Sequence, residues 1–122
     1  MKNVLVVDDS ATMRRMIIAS LTGIGGLSFE QAVSGLEAIE RLSLASIDLV
    51  TLDLNMPDVH GLEVLRFIRG QERLRDLPVV VLTTRGDVDS RQAALQAGAT
   101  LYLTKPFQPA VIIEQVEPLL RD

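Results

Sequence analysis

Four short apolar runs in this sequence each end at polar residues that suit metal or phosphate chemistry. The runs cover residues 4–7, 49–52, 79–82 and 101–104, and the residues that follow them are Asp8 and Asp9, Asp53, Thr83, and Lys105. In open parallel sheets, ligands bind and reactions occur beyond the carboxyl ends of the strands. If the four runs are neighbouring strands, these polar residues therefore converge on one pocket.

Such a pocket favours phosphoryl transfer assisted by Mg2+. Three carboxylates in close quarters repel one another and need compensation, which a hard divalent cation with oxygen ligands supplies. Lys105 adds a fixed positive charge, and the Thr83 hydroxyl can donate to an oxyanion. Because a carboxylate can act as a nucleophile that forms an acyl phosphate, Asp53 could accept a phosphoryl group. Positioning and charge neutralisation, which this catalysis mainly requires, would come from the same residues.

Each of these residues taken singly also has an ordinary structural explanation. Asp8 or Asp9 alone would be interpreted as a helix N-cap; Thr83 could be a structural strand end, and Lys105 with its proline a surface turn. Their joint occurrence after four buried strands favours the functional interpretation. His60, the only histidine, follows a Met-Pro-Asp turn and is interpreted as a solvated loop residue, because the cluster required for zinc is missing from the sequence.

Strands buried on both faces are the elements that must position these residues. Continuous apolar runs are typical of parallel strands covered by helices. A further strand around residues 29–33 contains Glu30 and Gln31, and this polarity favours a sheet edge. Glycines at 23–26 predict a turn before that strand; they do not match a dinucleotide-binding loop, because they follow a helix.

The segments between the strands predict five helices, and the alternation predicts an α/β fold. This is a doubly wound (βα)5 arrangement with helices on both faces of a five-stranded parallel sheet. The second helix is expected to open with Ser34 and Glu37 at capping-box spacing, and the fourth to run over residues 88–97 and stop at Gly98. The expected buried positions are Met13, Met16, Ile17 and Leu21 in the first helix, Leu36, Ile39 and Leu42 in the second, Leu62, Leu65 and Ile68 in the third, which starts near Gly61, and Ile112, Val116 and Leu119 in the fifth, which starts near Pro109.

Composition limits the class of protein. The 122 residues suit one domain over 1–122, and a hydrophobic content of 48% supports a core without a disulfide or structural metal. The chain has no cysteine, and its net charge of -4 disfavours nucleic acid as a direct partner. No targeting segment or membrane-spanning run is visible, so a monomeric, cytoplasmic protein without membrane insertion is expected.

Over its whole length the sequence resembles the response-regulator receiver family, in particular the chemotaxis-type, CheY-like regulators. The stretches that carry the resemblance are VVDDS at 6–10, DLNMP at 53–57, LTT at 82–84 and KPF at 105–107, with SATMR at 10–14 as a weaker chemotaxis-like signal. The resemblance implies the flavodoxin-like strand order 2-1-3-4-5, for which chemotaxis regulators are themselves a standard example. It also implies a histidine kinase as phosphodonor and a downstream protein target, with the flagellar motor switch as the expected one and a phosphatase as a further partner.

The resemblance also assigns a role to individual residues. It implies phosphorylation of Asp53 and a cis bond between Lys105 and Pro106. The implied Mg2+ ligands are Asp9 directly, Asp8 largely through water, Asp53, and the backbone carbonyl of Asn55. Thr83 would be the switch hydroxyl, Tyr102 the aromatic residue that turns inward with it, and Lys105 a contact to a phosphoryl oxygen. The output surface would be the fourth helix, fifth strand and fifth helix.

Thr84 departs from the family pattern, in which alanine or glycine usually follows the switch threonine. Its side chain is expected to narrow access to the acyl phosphate, and Arg85 and Asn55 are expected to tune the lifetime of the phosphorylated state. Other possibilities stay open: a phosphorelay intermediate, a receiver module of a longer regulator, a haloacid-dehalogenase-type phosphatase and a non-phosphorylated scaffold. The phosphatase is disfavoured because Asn55 stands where that chemistry usually has an aspartate, and the scaffold because no pocket residue is missing.

Overall fold

The computed structural model describes residues 1–121. Within that range, five parallel strands and five α-helices alternate along the chain, and the sheet has the order β2-β1-β3-β4-β5. The strands are β1 (Lys2–Val7), β2 (Leu27–Ala32), β3 (Leu49–Leu52), β4 (Val79–Thr83) and β5 (Leu101–Thr104). The helices are α1 (Ala11–Thr22), α2 (Gly35–Leu44), α3 (Gly61–Gly70), α4 (Val88–Gln96) and α5 (Pro109–Leu120), with a short 3-10 helix at Glu72–Leu74 that the sequence did not predict.

The sheet separates two layers of helices. On one face, α1 and α5 pack together over alternate residues of the central strands, such as Val4, Val6 and Val80. On the other face, α2 and α3 cover the intervening residues, such as Leu5 and Val50, and α4 packs next to α3. The fully buried residues of β1, β3 and β4 explain why these strands are continuous apolar runs.

The edge position predicted for the polar strand is confirmed, although its limits are shifted. β2 pairs with β1 alone and spans Leu27–Ala32, whereas Val33 lies beyond the strand and is exposed. The glycine turn before it is also confirmed, because Gly25 and Gly26 have positive φ angles of 85° and 72°. Gly98 after α4 has a φ of 107°, which is the left-handed cap that the sequence predicts.

Two predicted core residues lie at the surface instead. Met16 is 49% exposed and Leu36 is 64% exposed. In α1 the buried stripe runs through Ile17 and Leu21, and Met16, one residue away, is rotated about 100° from its centre. In α2 the buried residues are Gly35, Ala38 and Leu42, at spacings of three and four, so the face that meets the sheet excludes Leu36.

Candidate functional site

The carboxyl ends of β1 and β3 bring three predicted acidic residues together. The strands are adjacent and in register, with Val7 opposite Leu52, so that Asp8 and Asp53 follow at the same level. One carboxylate oxygen from each of Asp8, Asp9 and Asp53 lies within 4.8 Å of the other two. Asp8 and Asp53 are buried and Asp9 is exposed. Hard oxygen donors at this spacing, open to solvent on one side, fit Mg2+, which keeps several of its waters in proteins.

Lys105 extends into this acidic cluster from the loop after β5. Its Nζ lies 2.5 Å from Oδ2 of Asp8 and 3.7 Å from Oδ2 of Asp53, and the lysine side chain is 8% exposed. The Lys105–Pro106 peptide bond is cis, as the resemblance implies. One buried ammonium group therefore compensates part of the charge of two buried carboxylates.

The carboxyl of Asp53 has a raised pKa. Burial is the largest cause; the positive charge of Lys105 opposes it, and the negative charge of Asp8 adds to it. Hydrogen bonds from the backbone N–H of Asn55 and from the hydroxyl of Thr83 pull the pKa down by less. The ionised form of Asp53 is thus incompletely compensated by protein groups, which is consistent with a site that gains a cation.

Thr83 ends β4 on the other side of Asp53, with its side chain fully buried. Its hydroxyl accepts a hydrogen bond from the backbone N–H of Arg85 at 3.4 Å and a long one from Nδ2 of Asn55 at 3.5 Å. Asn55 is itself held by a hydrogen bond from its backbone N–H to Oδ1 of Asp53 at 3.3 Å. The structure thus brings Thr83 and Lys105, from two other strand ends, next to Asp53 and its sequence neighbour Asn55.

The remaining predicted residues lie around the loop that joins β4 to α4. Tyr102 is buried, and its hydroxyl donates a hydrogen bond to the backbone carbonyl of Arg85. The aromatic side chain therefore faces inward and holds the same loop that begins at Thr83. Thr84 and Arg85 are exposed, and their effect on the lifetime of the phosphorylated state stays a prediction.

His60 is not a passive loop residue. It is the N-cap of α3, and its Nδ1 accepts a hydrogen bond from the backbone N–H of Leu62 at 3.1 Å. The side chain is exposed, as the sequence predicts, but it has a definite capping function. Histidine is not among the residues preferred at N-caps, so residue type alone gave no signal for this position.

Two further side chains near the site were not identified from the sequence. Arg14 in α1 donates from its guanidinium to the backbone carbonyl of Asp8 at 2.7 Å and to Oε1 of Gln31 at 2.8 Å. Asp58 accepts hydrogen bonds from the backbone N–H groups of Gly35 and Leu36, both at 3.1 Å. Apart from the bond between Arg14 and Asp8, which are six residues apart, these contacts join residues 17 to 23 positions apart, so local patterns could not reveal them.

Comparison with known proteins decides the family. A family model described as the response regulator receiver domain matches residues 4–117. The chain belongs to the response regulator receiver family. Receiver domains bind Mg2+ at an acidic pocket, and in this chain Asp8, Asp9 and Asp53 form such a cluster.

Receivers from chemotaxis and from kinases are both similar to this chain. Chemotaxis protein CheY1 of Helicobacter pylori is 38% identical over 117 residues, covering 95% of this chain and 94% of that protein. The solved structure of the chemotaxis response regulator CheY4 of Vibrio cholerae has a TM-score of 0.89 at 33% identity, covering 98% of this chain and 99% of that one. The signal receiver domain of a signal transduction histidine kinase from Syntrophus aciditrophicus has the same TM-score and identity, covering 98% and 90%.

Family and fold together confirm two of the predictions made from the sequence. The receiver has the flavodoxin-like order 2-1-3-4-5 that the resemblance implies. It is a CheY-like two-component response regulator, and CheY-like receivers are phospho-accepting switches that interact with histidine kinases and downstream targets. No helix in the described part of this receiver is long and apolar enough to cross a membrane.

Proposed function

We propose that residues 1–122 form one receiver domain that works as a Mg2+-dependent phosphorylation switch. Asp53 accepts a phosphoryl group from a histidine kinase, and the event changes the surface formed by α4, β5 and α5. The observation that carries the proposal is the position of Lys105, whose Nζ lies between Asp8 and Asp53 at the edge of a three-carboxylate cluster. Bound Mg2+, held by Asp9, Asp8, Asp53 and the Asn55 carbonyl, would neutralise charge on the transferring group.

The transfer itself requires an ionised Asp53. One of its carboxylate oxygens attacks phosphorus, the bond from phosphorus to the donor breaks, and the donor leaves with the electron pair of that bond. Lys105 is placed to contact a phosphoryl oxygen, since it already lies 3.7 Å from Oδ2 of Asp53. The Thr83 hydroxyl, which accepts a hydrogen bond from the Arg85 backbone and donates one to Asp53, would turn and donate to another phosphoryl oxygen instead. Hydrolysis by water then returns the carboxylate and inorganic phosphate.

The movement of Thr83 would be transmitted through the β4–α4 loop. Two hydroxyl groups hold the backbone of Arg85. The hydroxyl of Thr83 accepts from its N–H, and the hydroxyl of Tyr102 donates to its carbonyl. When Thr83 turns toward the phosphoryl group, this loop loses one of its two anchors, and α4 follows the loop directly. Tyr102 is therefore proposed to respond to Thr83, with the change appearing on α4 and β5.

We further propose a role in chemotaxis, with the flagellar motor switch as the downstream target and the cytoplasm as the location. Sequence identities of 37% and 38% to chemotaxis proteins, over 95% of this chain, support this choice. The equal likeness to a receiver of a histidine kinase supports the alternative, a phosphorelay intermediate or the receiver module of a longer regulator. A pull-down with and without beryllofluoride as phosphoryl mimic separates them, because a motor regulator retains motor proteins and a relay intermediate retains a phosphotransfer protein.

Incubation with acetyl phosphate and Mg2+, followed by intact mass measurement, tests the phosphorylation directly. Wild type should gain the mass of one phosphoryl group, and Asp53→Asn should gain none. Asp76→Asn is a matched control, because Asp76 is an exposed aspartate outside the pocket, and it should behave as wild type. Failure of wild type to gain mass with acetyl phosphate and with a kinase would refute the proposal. Multiple turnover on a phosphate ester would instead indicate a phosphatase.

A further inference from the structure

The loop after Asp53, residues 54–60, must be held in place if it is to present a metal ligand. It follows Asp53 directly and includes Asn55, whose backbone carbonyl is a proposed ligand for Mg2+. Loops are ordinarily more mobile than the elements they connect. The contacts that immobilise this loop therefore bear on metal binding, and the inference below rests on the proposed function.

One end of the loop is anchored by Gly61, the first residue of α3. Its backbone N–H donates to the carbonyl of Leu54 at 3.1 Å. A Cβ at this position would lie 2.6 Å from Cα of Leu54 and 2.7 Å from the carbonyl oxygen of Asp53, so only glycine fits. This contact closes the loop onto the strand end but leaves the middle of the loop to be held by other residues.

Asp58 holds the middle of the loop against a different helix. Its carboxylate accepts hydrogen bonds from the backbone N–H groups of Gly35 and Leu36, the first two residues of α2, one at each oxygen. Hydrogen bonds from the backbone N–H groups of Val59, Leu36 and Gly35 lower the pKa of Asp58, so the carboxylate is ionised at neutral pH. The positive end of the α2 dipole adds to this attraction.

Gly35 lets the loop approach closely enough for these bonds. A Cβ on Gly35 would lie 2.5 Å from the carbonyl oxygen of Val59 and 2.7 Å from its Cβ. The loop and the start of α2 are thus in direct backbone contact over Asp58 and Val59. A seven-residue loop is held at three places: at Asn55 by Asp53, at Asp58 by α2, and at Leu54 by Gly61.

Ser34 caps the same helix terminus through a hydrogen bond made within α2. It is the N-cap of α2, and its hydroxyl accepts a hydrogen bond from the backbone N–H of Glu37 at 3.1 Å. Asp58 and Ser34 therefore share the open N–H groups of one helix between them. Removal of either side chain weakens the N-terminus of α2, but only the removal of Asp58 also releases the loop.

We propose that Asp58 is a positioning residue for the metal site, which holds the loop against α2 so that the Asn55 carbonyl faces the carboxylate cluster. It acts from outside the pocket, three residues after Asn55. Its contribution is to metal affinity, through the geometry of a backbone ligand, and it takes no part in phosphoryl transfer.

Titration calorimetry with Mg2+ alone, on wild type, Asp58→Ala, Asp58→Asn and Ser34→Ala, tests this role. We expect Asp58→Ala to weaken Mg2+ binding by roughly tenfold, the lower end of the range for partners that support metal ligands. Asp58→Asn, which keeps one carbonyl acceptor, should fall between Asp58→Ala and wild type. Ser34→Ala should lower the melting temperature and leave the Mg2+ affinity unchanged.

Each outcome has a definite meaning. If Asp58→Ala binds Mg2+ as wild type does, or if Ser34→Ala weakens binding to the same extent, the positioning role is wrong and Asp58 is a helix cap only. If Asp58→Ala does not fold, the comparison of Asp58→Asn with Ser34→Ala decides in the same way. A wild type that binds Mg2+ but gains no phosphoryl group would refute the proposed function and leave the role of Asp58 in metal binding intact.

Discussion

α3 and α4 lie side by side on one face of the sheet, yet they are held in different ways. α3 buries Val64, Leu65 and Ile68 completely. α4 buries Ala94, whereas Val88 is 67% exposed and Leu95 is 42% exposed. Buried apolar area supplies most of the stabilisation of a packed helix. α3 is therefore held along its whole length, whereas α4 is not.

α4 is held mainly at its ends. Asp87 caps its N-terminus by accepting a hydrogen bond from the backbone N–H of Ser90 at 3.0 Å. At the other end, Arg69 of α3 donates from Nε to the carbonyl of Gly98 at 2.9 Å. Segments with few buried contacts open and shift at low cost. α4, which follows the proposed switch residue Thr83, is thus the helix of this pair that buried contacts restrain less.

Truncation of one leucine in each helix should give the largest difference. Leu65→Ala is expected to lower the free energy of unfolding by about 2–5 kcal/mol, because it leaves a cavity in the core. Leu95→Ala should change it by about 0.5 kcal/mol or less, as for other surface positions. Urea denaturation measures both. Equal losses would mean that α4 is packed as firmly as α3, and the comparison would fail.

Loss of the Arg69 side chain should have an intermediate effect. Besides Gly98, its guanidinium donates to the carbonyls of Arg75 and Leu77 and to the hydroxyl of Thr100. Arg69→Ala is expected to cost about 2 kcal/mol, the range for hydrogen bonds to a charged group. Hydrogen exchange should show lost protection at the C-terminal end of α4 and the start of β5.

Arg69→Lys serves as the control for charge. A lysine keeps the positive charge but lacks the planar fork of donors, so it should not restore protection at Gly98. Full rescue by lysine would show that the charge and not the pattern of hydrogen bonds holds the end of α4.

Removal of the Asp87 cap should have the smallest effect and a definite pH dependence. Hydrogen bonds from Ser90 are the main cause of the lowered pKa of Asp87 in the folded protein. Its contribution to stability is therefore complete above the unfolded-state pKa of 3.8 and is lost as the pH falls through the lower folded-state pKa. The stability difference between wild type and Asp87→Ala should be constant near neutral pH and shrink in acid.

Asp89→Ala is the matched control for this measurement, since Asp89 lies in the same first turn of α4 but is not its N-cap. It should show a smaller loss than Asp87→Ala at neutral pH. A difference between wild type and Asp87→Ala that grows as the pH falls would contradict the capping role.

The residues at the strand ends could be recognised from the sequence because their positions follow from local rules. An apolar run of four residues predicts a buried strand, and whatever follows it must lie at the carboxyl edge of the sheet. For this reason Asp53, Thr83 and Lys105 could be assigned to one pocket without any contact being known. The strand order, the cis peptide bond and the inward Tyr102 were expected through the family resemblance and not through the local pattern.

Contacts between distant segments were decided by the tertiary structure alone. The exposure of Met16 and Leu36 was decided by which face of each helix meets the sheet, and the burial of Asp8 beside an exposed Asp9 was likewise seen only in the folded chain. Asp58 reaches α2 because Gly35 permits close approach, and Arg69 reaches Gly98 across 29 residues. Local sequence determines which face a segment can bury and which chemical groups stand at its end. Packing determines which distant residue each of these groups contacts, because a contact between residues far apart in the chain leaves no periodic signal in the sequence.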